Sequence, residues 1–136
     1  MTSFVLDNSV VCGWLLESHC TPYSEAVAQR LRTSRAMAPA LLPMEYTNVL
    51  RTACKRQNLV AAQAQHMLAL LAQLPIDIDT TAPNPAQVFD LALRHDLTSY
   101  GALYLDLALR RSLPIATQDR ALANAALAAG VGLVSA

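Results

Sequence analysis

The 136-residue sequence predicts an α/β fold, a three-layer α/β/α sandwich around a short and mostly parallel central sheet. Short apolar stretches alternate with longer amphipathic ones along the whole chain. Hydrophobic residues make up 54% of the chain and charged residues 15%, which is enough apolar surface for a sizeable core. No linker, repeat or low-complexity segment interrupts the pattern, and half of this length would be short of core. We therefore expect residues 1–136 to form a single domain.

Each predicted strand is a short, mostly aliphatic run bounded by a turn or breaker residue. Asp7 ends the first run and Pro43 closes the second, whereas apolar and acidic residues alternate in the third. The predicted strands are residues 4–6, 37–40, 76–78, 113–117 and 131–134.

The helix predictions rest on apolar positions at helical spacing and on signals at the helix ends. Pro75 ends the fourth helix, Pro83 and Pro85 suit the start of the fifth, and Thr98 is a good N-cap for the sixth. The predicted helices are residues 9–16, 22–32, 44–56, 59–74, 86–94, 99–111 and 119–129.

Composition argues against several classes of protein. The formal net charge is zero, so a polyanion would have to be bound by a local patch. No apolar run reaches the roughly 18 residues of a membrane span, and the N-terminus lacks the basic region of a signal peptide. The three cysteines and three histidines are dispersed, so neither a disulfide framework nor a zinc centre is expected. A reducing, cytoplasmic location is the expectation.

Three carboxylates stand at or shortly after the ends of predicted strands. Asp7 follows the first strand, Asp119 follows the fourth, and Glu45 is expected in the first turn of the helix after the second. Ligands of parallel α/β sheets gather beyond the carboxyl ends of the strands, where these acids would meet. Two like charges about 4 Å apart repel by about 4 kcal/mol at an effective dielectric of about 20. A cation would neutralise the cluster, and oxygen-only ligands indicate Mg²⁺ or Mn²⁺.

Each of these acids also has an ordinary structural explanation. Asp7 and Asp119 each precede a predicted helix and suit an N-cap. Glu45 in a first helical turn would complement the helix dipole. Both interpretations stay open for each acid taken singly, and the shared placement of the three favours the functional one.

Other α/β classes with acids at strand ends lack residues that they need here. A receiver domain requires a lysine after a late strand, and the single lysine, Lys55, lies in a middle helix. A haloacid-dehalogenase-type phosphatase needs DxDx[TV], where this chain has Asp7, Asn8 and Ser9. Neither a GxGxxG nor a GxxxxGK[ST] phosphate loop occurs.

Four segments in order resemble the motifs of the PIN-domain family, in particular the VapC-type toxins of bacterial toxin–antitoxin pairs. They are residues 4–10 (FVLDNSV), 42–51 (LPMEYTNVLR), 97–108 (LTSYGALYLDLA) and 113–122 (LPIATQDRAL). No single motif is long, but the four occur in order at matching separations. Together they span residues 4–122, which is nearly the whole chain, and this makes the resemblance specific.

The resemblance implies a metal-dependent endoribonuclease that uses Mg²⁺ or Mn²⁺. It implies that the catalytic and metal-ligating residues are Asp7, Glu45 and Asp119. It implies supporting roles for Ser9 and Thr117 through their hydroxyls and for Asn48, which could orient Glu45 or the ion.

The resemblance also implies an RNA substrate, a cognate antitoxin protein and a homodimer, without a membrane. The arginines that could contact phosphates are Arg51, Arg56, Arg94, Arg110, Arg111 and Arg120, although exposed arginines are ordinary on helices. The early helices carry apolar residues that could face a partner or the core: Trp14, Leu15, Leu16 and Tyr23.

The sequence departs from the family pattern at Gly101. The family usually has an aspartate there, the fourth acid of its site, and Gly101 leaves that position vacant. With Thr98 as N-cap, glycine at the third helical position costs up to about 1 kcal/mol against alanine and brings no visible structural gain. Three explanations stay open: a weakened or inactive member, an active one with three acids and one ion, or a change that arose in cloning. The alternative to a nuclease is therefore an inactive PIN-like module that binds RNA or an antitoxin.

Two nearby acids are candidates to substitute for the missing one. Asp106 is five residues beyond Gly101, about 140° around the helix and about 7.5 Å along it, so it lies on another face. Its spacing to Arg110 predicts a solvated ion pair. Asp96 is closer to the start of the helix but is expected to be a turn residue.

Overall fold

The computed structural model describes residues 2–135 and contains a four-stranded sheet with helices on both faces. The strands are β1 (Thr2–Leu6), β2 (Arg35–Pro39), β3 (Ile76–Asp79) and β4 (Ile115–Ala116). The helices are α1 (Asn8–Leu15), α2 (Pro22–Arg30), α3 (Leu41–Lys55), α4 (Ala61–Ala72), α5 (Pro85–His95), α6 (Ser99–Arg111) and α7 (Arg120–Ala128). A single 3-10 turn, Glu17–His19, joins α1 to α2.

The sheet has the strand order β3-β2-β1-β4, and all three pairings are parallel. The chain first moves outward from β1 to β2 and β3, and then returns through α5 and α6 to place β4 on the other side of β1. The sheet therefore has a topological switch point between β1 and β4, where Leu6 pairs with Ala116. Crevices that bind ligands form at the carboxyl end of such a point.

Two apolar layers cover the sheet and confirm the three-layer α/β/α prediction. Phe4 and Leu6 of β1 face the layer built from α1 to α4, whereas Val5 between them faces the layer built from α6 and α7. This alternation is the two-residue period of a strand buried on both sides. No helix in residues 2–135 has both the length and the apolar character needed to cross a bilayer.

The helix α3 begins earlier than predicted, which changes the position of Glu45. The prediction started this helix at Met44 and used Pro43 to close the preceding strand, but the helix begins at Leu41 and includes Pro43 in its first turn. Proline is tolerated there because the first N–H groups of a helix have no partner within it. Glu45 consequently lies in the second turn of α3, not in the first.

The C-terminal strand predictions were too long. Residues 113–117 contribute only Ile115–Ala116 as a strand, and residues 131–134 contribute a single bridge between Leu133 and Ile115. The backbone N–H of Ile115 donates to the carbonyl of Gly132 at 2.9 Å, so this segment still extends the sheet locally. Gly130, with φ of 79°, turns the chain sharply just before it and limits the regular pairing.

A buried ion-pair network ties α6 to the end of β3. The Arg110 guanidinium donates to Asp79 at 2.7 Å and to Asp106 at 3.0 Å, and Arg111 lies 3.5 Å from Asp79. Asp106 is only 5% exposed. The predicted pair between Asp106 and Arg110 is therefore confirmed, but its prediction as solvated is wrong for the carboxylate, which is buried, while the Arg110 side chain is 32% exposed.

Asp79 should contribute strongly to stability, and Asp79→Asn tests this. Burial alone raises the pKa of Asp79, but the hydrogen bonds from Arg110 and the Thr81 backbone, with the Arg110 charge, outweigh burial and lower it. The substitution should lower the free energy of unfolding at pH 7 by about 2–3 kcal/mol in urea titrations. A lowered pKa stabilises the fold above the unfolded-state pKa, so the difference should vanish as pH falls through the folded-state pKa.

Asp90→Asn is the matched control, because Asp90 pairs with Arg94 on the exposed surface of α5. Its effect should stay within about 0.5 kcal/mol. Equal effects of the two substitutions would contradict a stabilising role for the buried network.

Two helical glycines have opposite packing environments. A Cβ added at Gly13 would lie 2.6 Å from the Cβ of Ser24, so the close approach of α1 and α2 requires glycine there. A Cβ added at Gly101 would meet its nearest atom, the Thr98 Oγ1, at 3.6 Å, which is ordinary contact. Nothing in the packing of α6 requires a glycine at position 101.

Substitution by alanine should separate these two glycines. Gly101→Ala should raise the free energy of unfolding by about 0.4–1 kcal/mol, because alanine loses less backbone entropy in a helix. Gly13→Ala should lower it by about 1–3 kcal/mol through overpacking. Thermal unfolding followed by circular dichroism measures both, and a loss of stability in Gly101→Ala would show a structural need for the glycine.

Candidate active site

Asp7 lies at the carboxyl end of β1, at the switch point of the sheet, and is 7% exposed. Its Oδ2 accepts hydrogen bonds from the Ser9 hydroxyl at 2.6 Å, the Thr117 hydroxyl at 2.7 Å and the Ser9 backbone N–H at 3.4 Å. The last of these makes Asp7 the N-cap of α1. The structural and functional explanations of Asp7 are therefore compatible, since one oxygen does the capping.

A polar web joins the end of β4 to the start of α1 around this carboxylate. The Gln118 backbone N–H donates to the Ser9 hydroxyl oxygen at 2.7 Å, and the Gln118 side chain donates to the Ser9 carbonyl at 3.0 Å. The Asp119 backbone N–H donates to the Thr117 hydroxyl oxygen at 2.9 Å. Both hydroxyls that bind Asp7 are thus held in orientation by the β4–α7 loop. The sequence pattern predicts no role for Gln118.

Glu45 is positioned by a residue that sequence reasoning also missed. The Tyr104 hydroxyl donates a 2.5 Å hydrogen bond to Glu45 Oε1. Tyr104 belongs to α6 and is 1% exposed, so its ring is packed in the apolar layer of α6 and α7 while its hydroxyl reaches a carboxylate on α3. The sequence signal for this contact was a tyrosine three residues after Gly101. A tyrosine in an apolar helix, however, usually belongs to the hydrophobic core.

Asp119 is the N-cap of α7 and is exposed. Its Oδ1 accepts from the backbone N–H groups of Ala121 at 2.9 Å and Leu122 at 3.3 Å. The capping explanation of Asp119 is therefore confirmed. Its Oδ2 accepts no hydrogen bond from residues 2–135, so one oxygen of this carboxylate stays available to a ligand.

The three acids influence one another electrostatically. Burial raises the pKa of Asp7, the hydroxyls of Ser9 and Thr117 oppose the rise, and the negative charge of Asp119 adds to it. Burial likewise raises the pKa of Glu45, Tyr104 opposes the rise, and the Asp7 charge adds to it. Asp7 is thus electrostatically coupled to both of the other acids, and we refer to Asp7, Glu45 and Asp119 together as the acidic row.

The chemistry of this row fits a hard cation only in part. All the atoms that these acids could offer to a cation are oxygens. Asp7 Oδ1 accepts no hydrogen bond from the described part of the chain. The adjacent Asn8 Oδ1 is a buried acceptor without a partner in residues 2–135. Both features suit a cation or a hydrogen-bond donor. However, no three His, Cys, Asp or Glu side chains between residues 2 and 135 lie close enough to form a metal-binding group.

The remaining sequence-predicted positions lie around this row. Asn48 is exposed on α3, and its side chain makes no hydrogen bond with residues 2–135. Gly101 lies within about 60° of Tyr104 on α6, one turn closer to the helix start, so a side chain there would extend on the Glu45 side. Asp96 has φ of 54° at the end of α5, as expected for a turn residue.

The ionised form of Asp7 should lower the free energy of unfolding, and Asp7→Asn tests this. A raised folded-state pKa means that the folded chain holds the proton more tightly than the unfolded chain does. In metal-free buffer at pH 7, Asp7→Asn should therefore be more stable than the parent, and the difference should shrink as pH falls toward about 4. Urea titrations between pH 4 and pH 8 measure it.

Asp119→Asn serves as the control, since asparagine caps helices as well as aspartate does. It should change stability little across the same range. A parent chain more stable than Asp7→Asn at pH 7 without metal would contradict the prediction.

Comparisons with known proteins bear on both fold and family. No family model matches the chain. Ribonuclease VapC1 of Mycobacterium tuberculosis, in strains CDC 1551 / Oshkosh and ATCC 25618 / H37Rv, is 36% identical over 97 residues, covering 70% of this chain and 71% of that protein. The crystal structure of PAE2754 from Pyrobaculum aerophilum superposes with a TM-score of 0.69 at 22% identity, covering 92% of this chain and 87% of the other. The structural likeness supports the fold alone, whereas the sequence identity establishes the family. This chain belongs to the VapC-type PIN-domain family.

Proposed function

We propose that this protein is a metal-dependent endoribonuclease, the toxin of a type II toxin–antitoxin pair, weakened by Gly101. The observation that carries the proposal is the buried Asp7 carboxylate at the switch point, held through one oxygen by Ser9 and Thr117. Kinship with proteins named Ribonuclease VapC1 supports RNA as the substrate. Burying a carboxylate next to other acids costs stability, so a role in function explains its presence better than a role in folding.

The residues divide into those that would hold Mg²⁺ or Mn²⁺ and those that position them. Asp7, Glu45 and Asp119 would bind the ion directly or at longer range through water, and when bound it would supply a Lewis acid that stabilises charge on a phosphodiester and lowers the pKa of water. Ser9 and Thr117 orient Asp7 so that Oδ1 stays available. Tyr104 restrains Glu45 by its hydroxyl.

Gly101 explains why the site is proposed to be weak. An acid at this position would extend from α6 on the Glu45 side and would add a ligand to the row. Residues 2–135 contain no group of three His, Cys, Asp or Glu side chains close enough to hold an ion directly. Losing one ligand lowers metal affinity, so turnover should be low.

An apolar groove on the surface is available to the proposed antitoxin. Trp14 and Leu15 of α1 and the apolar side of α4 line a cavity of about 260 Å³. Trp14 is anchored by a 2.7 Å hydrogen bond from its indole N–H to the Ser24 carbonyl, so the groove wall is fixed.

A homodimer and a cytoplasmic location remain predictions.

The second candidate is an inactive PIN-like module that binds RNA or an antitoxin. The absence of a three-acid group among the described residues favours it. Such a module would need no ion, so the two candidates differ in metal affinity as well as in cleavage.

Restoring the missing acid should restore activity. Gly101→Asp should cleave an unstructured RNA in Mg²⁺ or Mn²⁺ at least about tenfold faster than the parent, which corresponds to about 1.4 kcal/mol or more of transition-state stabilisation. Gel-resolved cleavage of an end-labelled RNA measures the rate, and calorimetric Mn²⁺ titration measures affinity independently.

Two matched variants make this test specific. Gly101→Asn has nearly the same size without the charge and should stay as slow as the parent. Adding Asp7→Asn to Gly101→Asp should abolish cleavage and Mn²⁺ binding. Equally fast, metal-dependent cleavage by the parent would disprove the weakening, and no Mn²⁺ binding by Gly101→Asp would favour the inactive module.

A further inference from the structure

The structure sorts the candidate phosphate-binding arginines into two groups. Arg94, Arg110 and Arg111 are paired with carboxylates. Within residues 2–135, the remaining candidates make no ion pair and are exposed: Arg51, Arg56 and Arg120, together with Lys55. The paired arginines are occupied by the fold, so the unpaired cations are the ones available to a polyanion.

These cations stand on or beside the elements that carry Glu45 and Asp119. The helix α3 carries Glu45 in its second turn and continues through Asn48 and Arg51 to Lys55, at spacings of three, three and four residues. At about 100° and 1.5 Å per residue, Arg51 lies about 120° around the helix from Glu45 and about 9 Å along it, and Lys55 lies about 80° around and about 15 Å along. Both cations are therefore displaced to the same side of Glu45, toward the end of α3. Asn48, Arg51 and Lys55 are all exposed. On α7, Arg120 follows Asp119 directly.

The helix dipole explains only some of these charges. Lys55 and Arg56 stand at the end of α3, where positive charge is favourable in any helix. Arg51 stands in the middle of α3, where the dipole gives no such benefit. Arg120 is the first residue of α7, where the dipole opposes a positive charge. Arg51 and Arg120 therefore need another explanation, and they are the two cations nearest the acids in sequence.

We propose that Arg51 and Lys55 on α3 and Arg120 on α7 bind the phosphates of a single-stranded RNA beside the acidic row. This inference rests on the proposed ribonuclease function and specifies how the substrate is held. Acids at the row repel a polyanion, and the chain has no net charge to offset this. Local cations beside these acids attract the backbone and place one phosphodiester at the row. The contacts are to phosphates, so they carry no base preference.

Salt-dependent binding tests the proposal without relying on cleavage. Fluorescence anisotropy with a labelled unstructured RNA in EDTA gives the affinity between about 50 and 300 mM KCl. Each of Arg51→Gln, Lys55→Gln and Arg120→Gln should reduce the slope of log affinity against log salt by about 0.7. The triple variant should bind at least tenfold more weakly at the lowest salt. These side chains are exposed, so melting temperatures should be unchanged.

Arg32→Gln and Arg94→Gln are the matched controls. Arg32 is exposed and makes no ion pair within residues 2–135. It precedes β2, so it lies toward the amino ends of the strands, away from the carboxyl ends where Asp7 lies. Arg94 is exposed on α5 but paired with Asp90. Both variants should keep the parent slope. An equal decrease in the controls would show nonspecific attraction and would overturn the proposal.

The outcomes separate this inference from the proposed function. If Gly101→Asp cleaves RNA but the triple variant keeps the parent's slope of log affinity against log salt, the phosphate contacts are overturned and the proposed ribonuclease function stands. A reduced slope without any metal-dependent cleavage by Gly101→Asp would support the contacts and leave an RNA-binding module. Binding of a glutamate-rich peptide, but not RNA, through these three cations would assign the surface to a protein partner and overturn the proposal.

Discussion

The burial of one charge, the Asp7 carboxylate, is the constraint on which the site depends. A buried carboxylate is tolerated only when hydrogen bonds replace the water that it has lost. Ser9 and Thr117 supply them from two segments that are far apart in sequence and meet only because β4 pairs beside β1. Since both hydroxyls bind the same oxygen, the arrangement satisfies the charge and leaves the other oxygen for a ligand. The switch-point topology thus forms the site directly.

The second acid depends on how firmly α6 is held. Tyr104 reaches Glu45 from the first half of this helix, while Arg110 in its last turn is bound to Asp79 and Asp106. Removing one partner of such a network is destabilising because it leaves a charge without its counterpart. In this protein the network connects the end of β3 to α6 and restrains the helix along its axis. The position of the Tyr104 hydroxyl is therefore tied to a cluster outside the acidic row.

Fold and activity are separable at Gly101. The contrast with Gly13 shows that one glycine is needed for helix packing and the other is not. The fold is complete with a glycine at position 101, because Thr98 caps α6 through the backbone N–H of residue 101 whatever side chain stands there. Catalytic groups commonly cost stability, and a chain that lacks one loses no folding free energy by its absence.

The sequence by itself determined the order of the elements, the parallel sheet and the edge at which Asp7, Thr117 and Asp119 lie. These follow from local periodicity and from the rule that parallel strands end on one side. It also marked Gly101, through the resemblance to the family motif, as a position where an acid is expected. Only the tertiary structure decided the burial of Asp79 and Asp106, the contact between Tyr104 and Glu45, and the start of α3. It also decided which arginines are paired. Each of these depends on contacts between segments distant in the chain, and a one-dimensional pattern of apolar and polar residues does not specify such contacts.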